Sequence, residues 1–304
     1  MQTDHSTAKR LSARHVRLSL GWVVVIAGSA LLMTHALQWM GDHMTRTAWR
    51  ALEGGALCAL ATALGALPVL FTRGMPVRLS DGLLGFGAGV MLAATAFSLV
   101  VPGLSAAQDL GFSKWGAGAV ISAGVMLGIG AMLWLDHAWP HAHFDTAGHA
   151  TRHATQPAVP ARVWLFVVAI ILHNIPEGMA VGVAMGADLA NANGLAMGIA
   201  LQDVPEGLVV ALALAGAGLP RGKAALIGMA SGLVEPASAL MAALAVGLFS
   251  ALLPWGLAFA AGAMLFAVSH EVIPESHRNG HETAATLGLA LGFCLMMTMD
   301  TALA

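Results

Sequence analysis

Nine apolar runs, each long enough to carry a helix across about 30 Å of hydrocarbon at about 1.5 Å per residue, recur along this 304-residue chain. They lie near 18–40, 49–71, 80–101, 115–137, 162–186, 193–217, 223–248, 253–274 and 284–303, mostly joined by short Gly, Pro or Asn-rich connections. Inside lipid a backbone must satisfy its own polar groups, so runs of this length read as helices. Hydrophobic residues make up 58% of the chain and charged residues 10%, against roughly 25% charged in soluble domains. The expected fold class is therefore an all-α polytopic membrane protein. Its 36 glycines suit helices that pack backbone to backbone in lipid.

Charge sets the expected orientation. With the amino terminus in the cytoplasm, Lys9, Arg10, Arg14, Arg17, Arg73, Arg78, Arg152, Arg162, Arg221, Lys223 and Arg278 fall inside, and only Arg46, Arg50 and Lys114 outside. The positive-inside rule then places the carboxyl terminus outside. Residues 1–17 read as a basic cytoplasmic tail. The run at 18–40 reads as an extra first span, although its basic flank and Thr34-His35-Ala36 also fit a cleaved signal peptide. Either way, residues 49–304 form the core. A net charge of -2 without a basic cluster offers no footprint for nucleic acid. Cys58 and Cys294 lack paired spacing and read as small core residues.

Two nearly identical words interrupt this apolar background: His173-Asn174-Ile175-Pro176-Glu177-Gly178 and Gln202-Asp203-Val204-Pro205-Glu206-Gly207, on adjacent spans. An acid at bilayer depth is costly and marks function by default. Helical spacing puts His173 with Glu177, and Gln202 with Glu206, on facing sides. Beside them Asn174 with Glu177, and Asp203 with Glu206, make a second set that shares both glutamates. This pattern predicts two neighbouring cations bridged by carboxylates. Pro176 and Pro205 each free a carbonyl one turn earlier, Leu172 or Leu201, and predict irregular backbone lining a cavity. The competing structural reading is a polar pair that only holds helices together.

Glu235-Pro236 interrupts a later span, with Glu235 deep enough to complete the oxygen-rich second set. His270-Glu271-Val272-Ile273-Pro274-Glu275 looks like an exit-side station at the cytoplasmic end of its span. Asp81, Asp136 and Asp300 lie near span ends, where entrance or exit roles compete with simple solvation. The connection at 138–161 follows His137 and holds His141, His143, His149 and His153. It reads as a flexible cytoplasmic loop, either a weak metal trap or a solvated linker. Met91, one of 17 methionines, carries no signal by spacing alone.

The paired words, with the phrases around Asp81 to Pro102, Glu235-Pro236 and His270 to Glu282, resemble the ZIP (Zrt/Irt-like) metal transporters, and the bacterial branch in particular. The resemblance covers nearly everything from about residue 50 onward. It implies an eight-helix core whose first three and last three helices form an inverted repeat around a central metal-carrying pair. It further implies one site from Met91, His173, Glu177, Gln202 and Glu206, and another from Asn174, Glu177, Asp203, Glu206 and Glu235. A homodimer in the bacterial inner membrane and an elevator-like movement come with it. Many relatives carry His-Glu-x-x-His where this chain has Gln202, Asp203 and Glu206, so more oxygen and less imidazole is expected here. The extra first span departs from the family pattern.

The expected activity is import of a divalent transition metal by alternating access. One imidazole, one thioether and several carboxylates favour Zn²⁺, with Cd²⁺ accepted; an oxygen-only companion site would tolerate Fe²⁺ or Mn²⁺. Carboxylates that bind protons when empty predict a pH-dependent rate. An intramembrane metal-dependent hydrolase would use the same ion to activate water, but the H-E-x-x-H word of zinc proteases does not occur. A proton-coupled carrier of an organic substrate is the third reading, in which the acids relay protons and no metal binds.

Overall fold

The computed structural model describes residues 44–72, 74–138 and 159–302, with isolated positions between 27 and 38. The expected tail, all but those isolated positions of the extra first span, and most of the His-rich loop lie outside the described residues. The chain divides into two units, Met1–Thr45 and Arg46–Ala304, and the second holds the helical bundle. Among the described residues every regular element is a helix. Eight long helical segments appear: α1 (Arg46–Leu70), α2 (Val77–Asp109), α3 (Lys114–Ala138), α4 (Val159–Gly186), α5 (Ala192–Gly216), α6 (Arg221–Leu248), α7 (Ser250–His277) and α8 (Glu282–Ala302). All except α4, part of which lies beyond the described side chains, meet the length and hydropathy expected of membrane spans.

The packing falls into two groups. Helices α1, α4, α5 and α6 all touch one another, while α2 lies along α8 and α3 along α7. Exchanging α1 with α6, α2 with α7, α3 with α8 and α4 with α5 maps each principal pair onto another: α1–α5 onto α6–α4, and α2–α8 onto α7–α3. That is the pattern an inverted repeat produces around a central pair. The irregularities obey the same exchange, since α2 carries a π turn at Ala94–Val100 and α7 one at Val268–Val272. Each is followed by a proline, Pro102 or Pro274, near the start of the next helical stretch.

Small residues permit this closeness. A Cβ on Gly85 or Gly89 of α2 would run into the α8 backbone at Ala285 or Leu289, and one on Gly288 or Gly292 of α8 into α2 at Gly82 or Phe86. Gly178, Gly182 and Gly186 form a stripe on α4 laid against Glu235, Ala239 and Ala243 of α6. With lipid as apolar as leucine, close backbone contact rather than hydrophobic exclusion holds such helices.

Two expectations about the backbone change. Pro176 and Pro205 do not break their helices; α4 and α5 run continuously through them. A proline deletes one hydrogen bond without ending a helix when packed neighbours brace the chain on both sides; α4 packs against α1, α5, α6 and α7, and α5 against α1, α2, α4, α6 and α8. The real breaks fall in the π turns and in α6, where Gly232 and Leu233 form a turn just before Glu235. Nor does α7 end near 274, because it continues to His277, so His270 and Glu271 sit in a π turn within the helix.

Candidate metal site

Helix α5 is inside-out relative to a soluble helix. Met197, Leu201 and Val204 are exposed on its outer side, whereas Gln202 and Asp203 are buried at 1% exposure. Helix α4 buries His173, Asn174 and Glu177 in the same way, and α6 buries Glu235 completely. Lipid supplies no hydrogen bonds, so polar side chains turn toward one another.

They converge into two adjoining groups. His173, Glu177 and Glu206 place ligand atoms within 4.8 Å of one another. Asp203, Glu235 and Cys58 do the same within 4.8 Å. Gln202 joins the groups: its Nε2 donates to Glu177 Oε1 and, at 3.2 Å, to Asp203 Oδ1. Asn174 Nδ2 donates to Glu235 Oε1 at 3.1 Å, and Thr62 Oγ1 donates to the same oxygen at 3.2 Å. Against Gln202 stands α2, where a Cβ on Gly87 would lie 3.5 Å from Gln202 Oε1. Met91, one turn further along α2, is buried at 2% exposure.

Several polar atoms in these groups remain without hydrogen bonds. They are His173 Nδ1, Asn174 Oδ1, Glu177 Oε2, Gln202 Oε1, Asp203 Oδ2 and Glu235 Oε2. Leaving a buried polar atom unpaired costs roughly 1–3 kcal/mol, more when it is charged, and six in one place is far from ordinary satisfaction. Five are acceptors, and the sixth is an imidazole nitrogen that lies 3.3 Å from the Glu271 carboxylate without hydrogen-bond geometry. A cation is the partner this donor chemistry fits.

The remaining predicted residues are distributed around this centre. Glu271, expected at the exit, reaches inward: its Oε2 lies 3.3 Å from His173 Nδ1, from a π turn of α7, which runs on to His277. His270 stacks on Phe266 with ring centroids 4.7 Å apart. Asp81 is not solvated; it is buried, accepting from Asn279 Nδ2 at 2.9 Å and lying 2.8 Å from His281 Nδ1. It ties the α7–α8 connection to α2. Asp300 accepts from Ser98 Oγ at 2.6 Å and Asn191 Nδ2 at 2.9 Å, and lines a cavity of about 540 Å³ with Phe97, Asp109 and Asn191. Asp136 is half-buried near the end of α3.

Cys58 and Thr62 are not singled out by sequence reading. They lie four residues apart on α1, within a stripe that includes Gly54, Gly55 and Gly65, and that stripe is the signal that points them at α5 and α6. A lone cysteine in an apolar span otherwise looks like filling.

Comparison with known proteins agrees with this architecture. Residues 140–300 match the family model described as ZIP Zinc transporter. The chain is 49% identical over 292 residues to the zinc transporter ZIPB of Bordetella bronchiseptica, covering 95% of this chain and 93% of that protein. It is 43% identical over 258 residues to the zinc transporter GufA of Myxococcus xanthus, covering 83% and 98% respectively. A more distant relative, the zinc transporter ZupT of Stenotrophomonas maltophilia, is 29% identical over 250 residues, 80% of this chain and 93% of the other. Like these transporters, and with its two acid-bearing central helices packed in a lipid-adapted bundle, the chain belongs to the ZIP zinc transporter family.

Proposed function

We propose that this protein imports divalent transition metal, Zn²⁺ above all and Cd²⁺ with it, across the bacterial inner membrane into the cytoplasm. The observation that carries this is the set of buried, unpaired acceptors held between α4, α5 and α6. One ion is held by His173, Glu177, Gln202 and Glu206 with Met91 closing from α2; a second is held by Asn174, Glu177, Asp203, Glu206 and Glu235. The shared glutamates keep either well from becoming too deep, because an ion at one position repels its neighbour and weakens the hold needed for release.

Movement follows an elevator-like course. Every ligand except Met91 belongs to the mutually packed group α1, α4, α5 and α6, so this group can carry the metal past the α2–α8 and α3–α7 pairs. His173 faces Glu271 on α7, and transfer of the ion toward Glu271 and His270 begins its release. Asp300, Asp81 and Asp136 lie along the outer and inner approaches. The protein works as a homodimer, with apolar faces such as Met126 and Leu127 of α3 and Leu287 and Leu291 of α8 exposed at the periphery to lipid or a second copy. The amino terminus is cytoplasmic and the carboxyl terminus periplasmic.

Flux of radiolabelled Zn²⁺, Cd²⁺, Fe²⁺ and Mn²⁺ into proteoliposomes, with and without a pH gradient, tests this directly. Zn²⁺ and Cd²⁺ should accumulate and compete with each other; uptake indifferent to metal, or metal-independent movement of an organic solute, would refute it. Selectivity is tested by Gln202→His. An added imidazole favours borderline-soft ions, so this variant should move the competition profile toward Zn²⁺ and away from Mn²⁺. An unchanged profile would remove Gln202 from the site.

A further inference from the structure

We propose that Cys58 is a metal ligand, giving the second site a thiolate in addition to its oxygens and making it a site for soft divalent ions. The inference rests on the metal-site reading above and deepens it. Cys58 Sγ and carboxylate oxygens of Asp203 and Glu235 lie within 4.8 Å of one another, all three residues buried. A zinc shell has Zn–S bonds of about 2.3 Å and Zn–O bonds of about 2.0–2.2 Å, which sets tetrahedral donors roughly 3.5 Å apart. Side-chain adjustments of about an ångström therefore close the group on an ion.

Independent observations aim the neighbouring donors at the same space. Asp203 Oδ2, Glu235 Oε2 and Asn174 Oδ1 are buried without hydrogen-bond partners. Glu235 is oriented by two donors on its other oxygen, Asn174 Nδ2 and Thr62 Oγ1, and Thr62 is one turn from Cys58 on α1. Asn174 uses its amide nitrogen in that contact, which leaves its Oδ1 free. The sulfur lies 3.7 Å from the carbonyl of Ala196 and also reaches the Asp203 carboxylate, one of the proposed co-ligands.

The approach of α1 is built in. A Cβ on Gly55 would lie 2.6 Å from Pro236 Cα, and one on Gly232 would lie 3.1 Å from Ala59 Cα. These glycines let α1 settle against α6 closely enough for Cys58 to meet Glu235. A cysteine serving only as filling would face apolar side chains, whereas this one faces two carboxylates.

Coordination exchanges the S–H bond for an S–metal bond, and the proton is released to solvent, with no change of oxidation state. Thiolate favours Zn²⁺ and Cd²⁺ over Mn²⁺ and Mg²⁺. The expectation of an oxygen-only site tolerant of Mn²⁺ is thereby replaced by one of a mixed sulfur and oxygen site that discriminates against it.

The test uses the full chain in detergent or nanodiscs with the exposed Cys294 changed to Ser, leaving Cys58 as the one thiol. Equilibrium dialysis measures bound Cd²⁺, ultraviolet absorption reads thiolate-to-metal charge transfer, which the thioether of Met91 does not produce, and alkylation reads protection of the thiol. Cd²⁺ should bind with a charge-transfer band and shield Cys58. Cys58→Ser should abolish the band and weaken Cd²⁺ binding by at least the roughly tenfold that loss of a supporting partner costs, leaving Mn²⁺ affinity within about twofold. Cd²⁺ bound in a Glu235-dependent manner without the band would overturn the role of Cys58 while leaving the metal site intact. Absence of any Cd²⁺ binding sensitive to Glu177→Gln or Glu235→Gln would overturn both. The band and the protection are read on the chain that keeps Cys58, so they decide the matter even if the Ser variant fails to fold.

Discussion

Glu177→Gln should stop metal flux while leaving the protein folded. Glu177 stands where the two groups of donors meet, within ligand distance of His173 and Glu206 and bonded to Gln202. Truncating one partner of a buried charged contact costs about 2–5 kcal/mol of binding, and about 2.8 kcal/mol is already a hundredfold in affinity. Zn²⁺ uptake into proteoliposomes should therefore fall by about a hundredfold or more. Folding should not suffer, because the amide keeps an oxygen to accept from Gln202 and removes one of several crowded negative charges. Its melting temperature in metal-free buffer should equal or exceed that of the parent protein. Flux within about threefold of the parent would defeat the site assignment.

A larger effect on folding is expected from Gly178→Val. Any Cβ at Gly178 would lie 2.8 Å from Glu235 Cα and closer still to the Glu235 carbonyl and Ser238 Oγ. Backbone cannot step aside as a flexible side chain can, so α4 and α6 must separate. Overpacking costs roughly 1–3 kcal/mol, occasionally more, and the separation also breaks the buried Asn174–Glu235 hydrogen bond, worth roughly 1–3 kcal/mol when one partner is left unpaired. A combined loss of about 3–5 kcal/mol is a large share of ordinary stability. The monodisperse fraction on size-exclusion chromatography should collapse and metal binding should go with it. A variant that purifies and melts like the parent would show that the α4–α6 crossing is looser than these distances require.

Much of this site is legible from local spacing. His173 with Glu177, and the Gln202-Asp203-Glu206 set, point inward because helical periodicity places them on one face and lipid forbids the other. Glu235 is legible for the same reason. Cys58 is not, since its importance comes from which helices α1 lies against, and a single sulfur in an apolar run has no periodic partner to announce it. Hydropathy does not show that Glu271 reaches His173, because the π turn and the continuation of α7 to His277 leave no trace in it. The prolines mislead in the opposite direction: a missing backbone donor is visible in the sequence, but whether the helix breaks is decided by the neighbours that brace it.

Length, hydropathy and the two acid-bearing words suffice for an all-helical membrane protein with polar side chains directed inward at α4 and α5. That much follows from short-range physics: about 1.5 Å of rise per residue and about 3.6 residues per turn, with the cost of unpaired charge in lipid. Which donors share a space is settled only in three dimensions. Cys58, Asp203 and Glu235 come from helices far apart in the chain, and Asp81 meets His281 across 200 positions of sequence. Such meetings depend on glycine-scale fits between backbones, and those are properties of pairs of surfaces that no single helix carries alone.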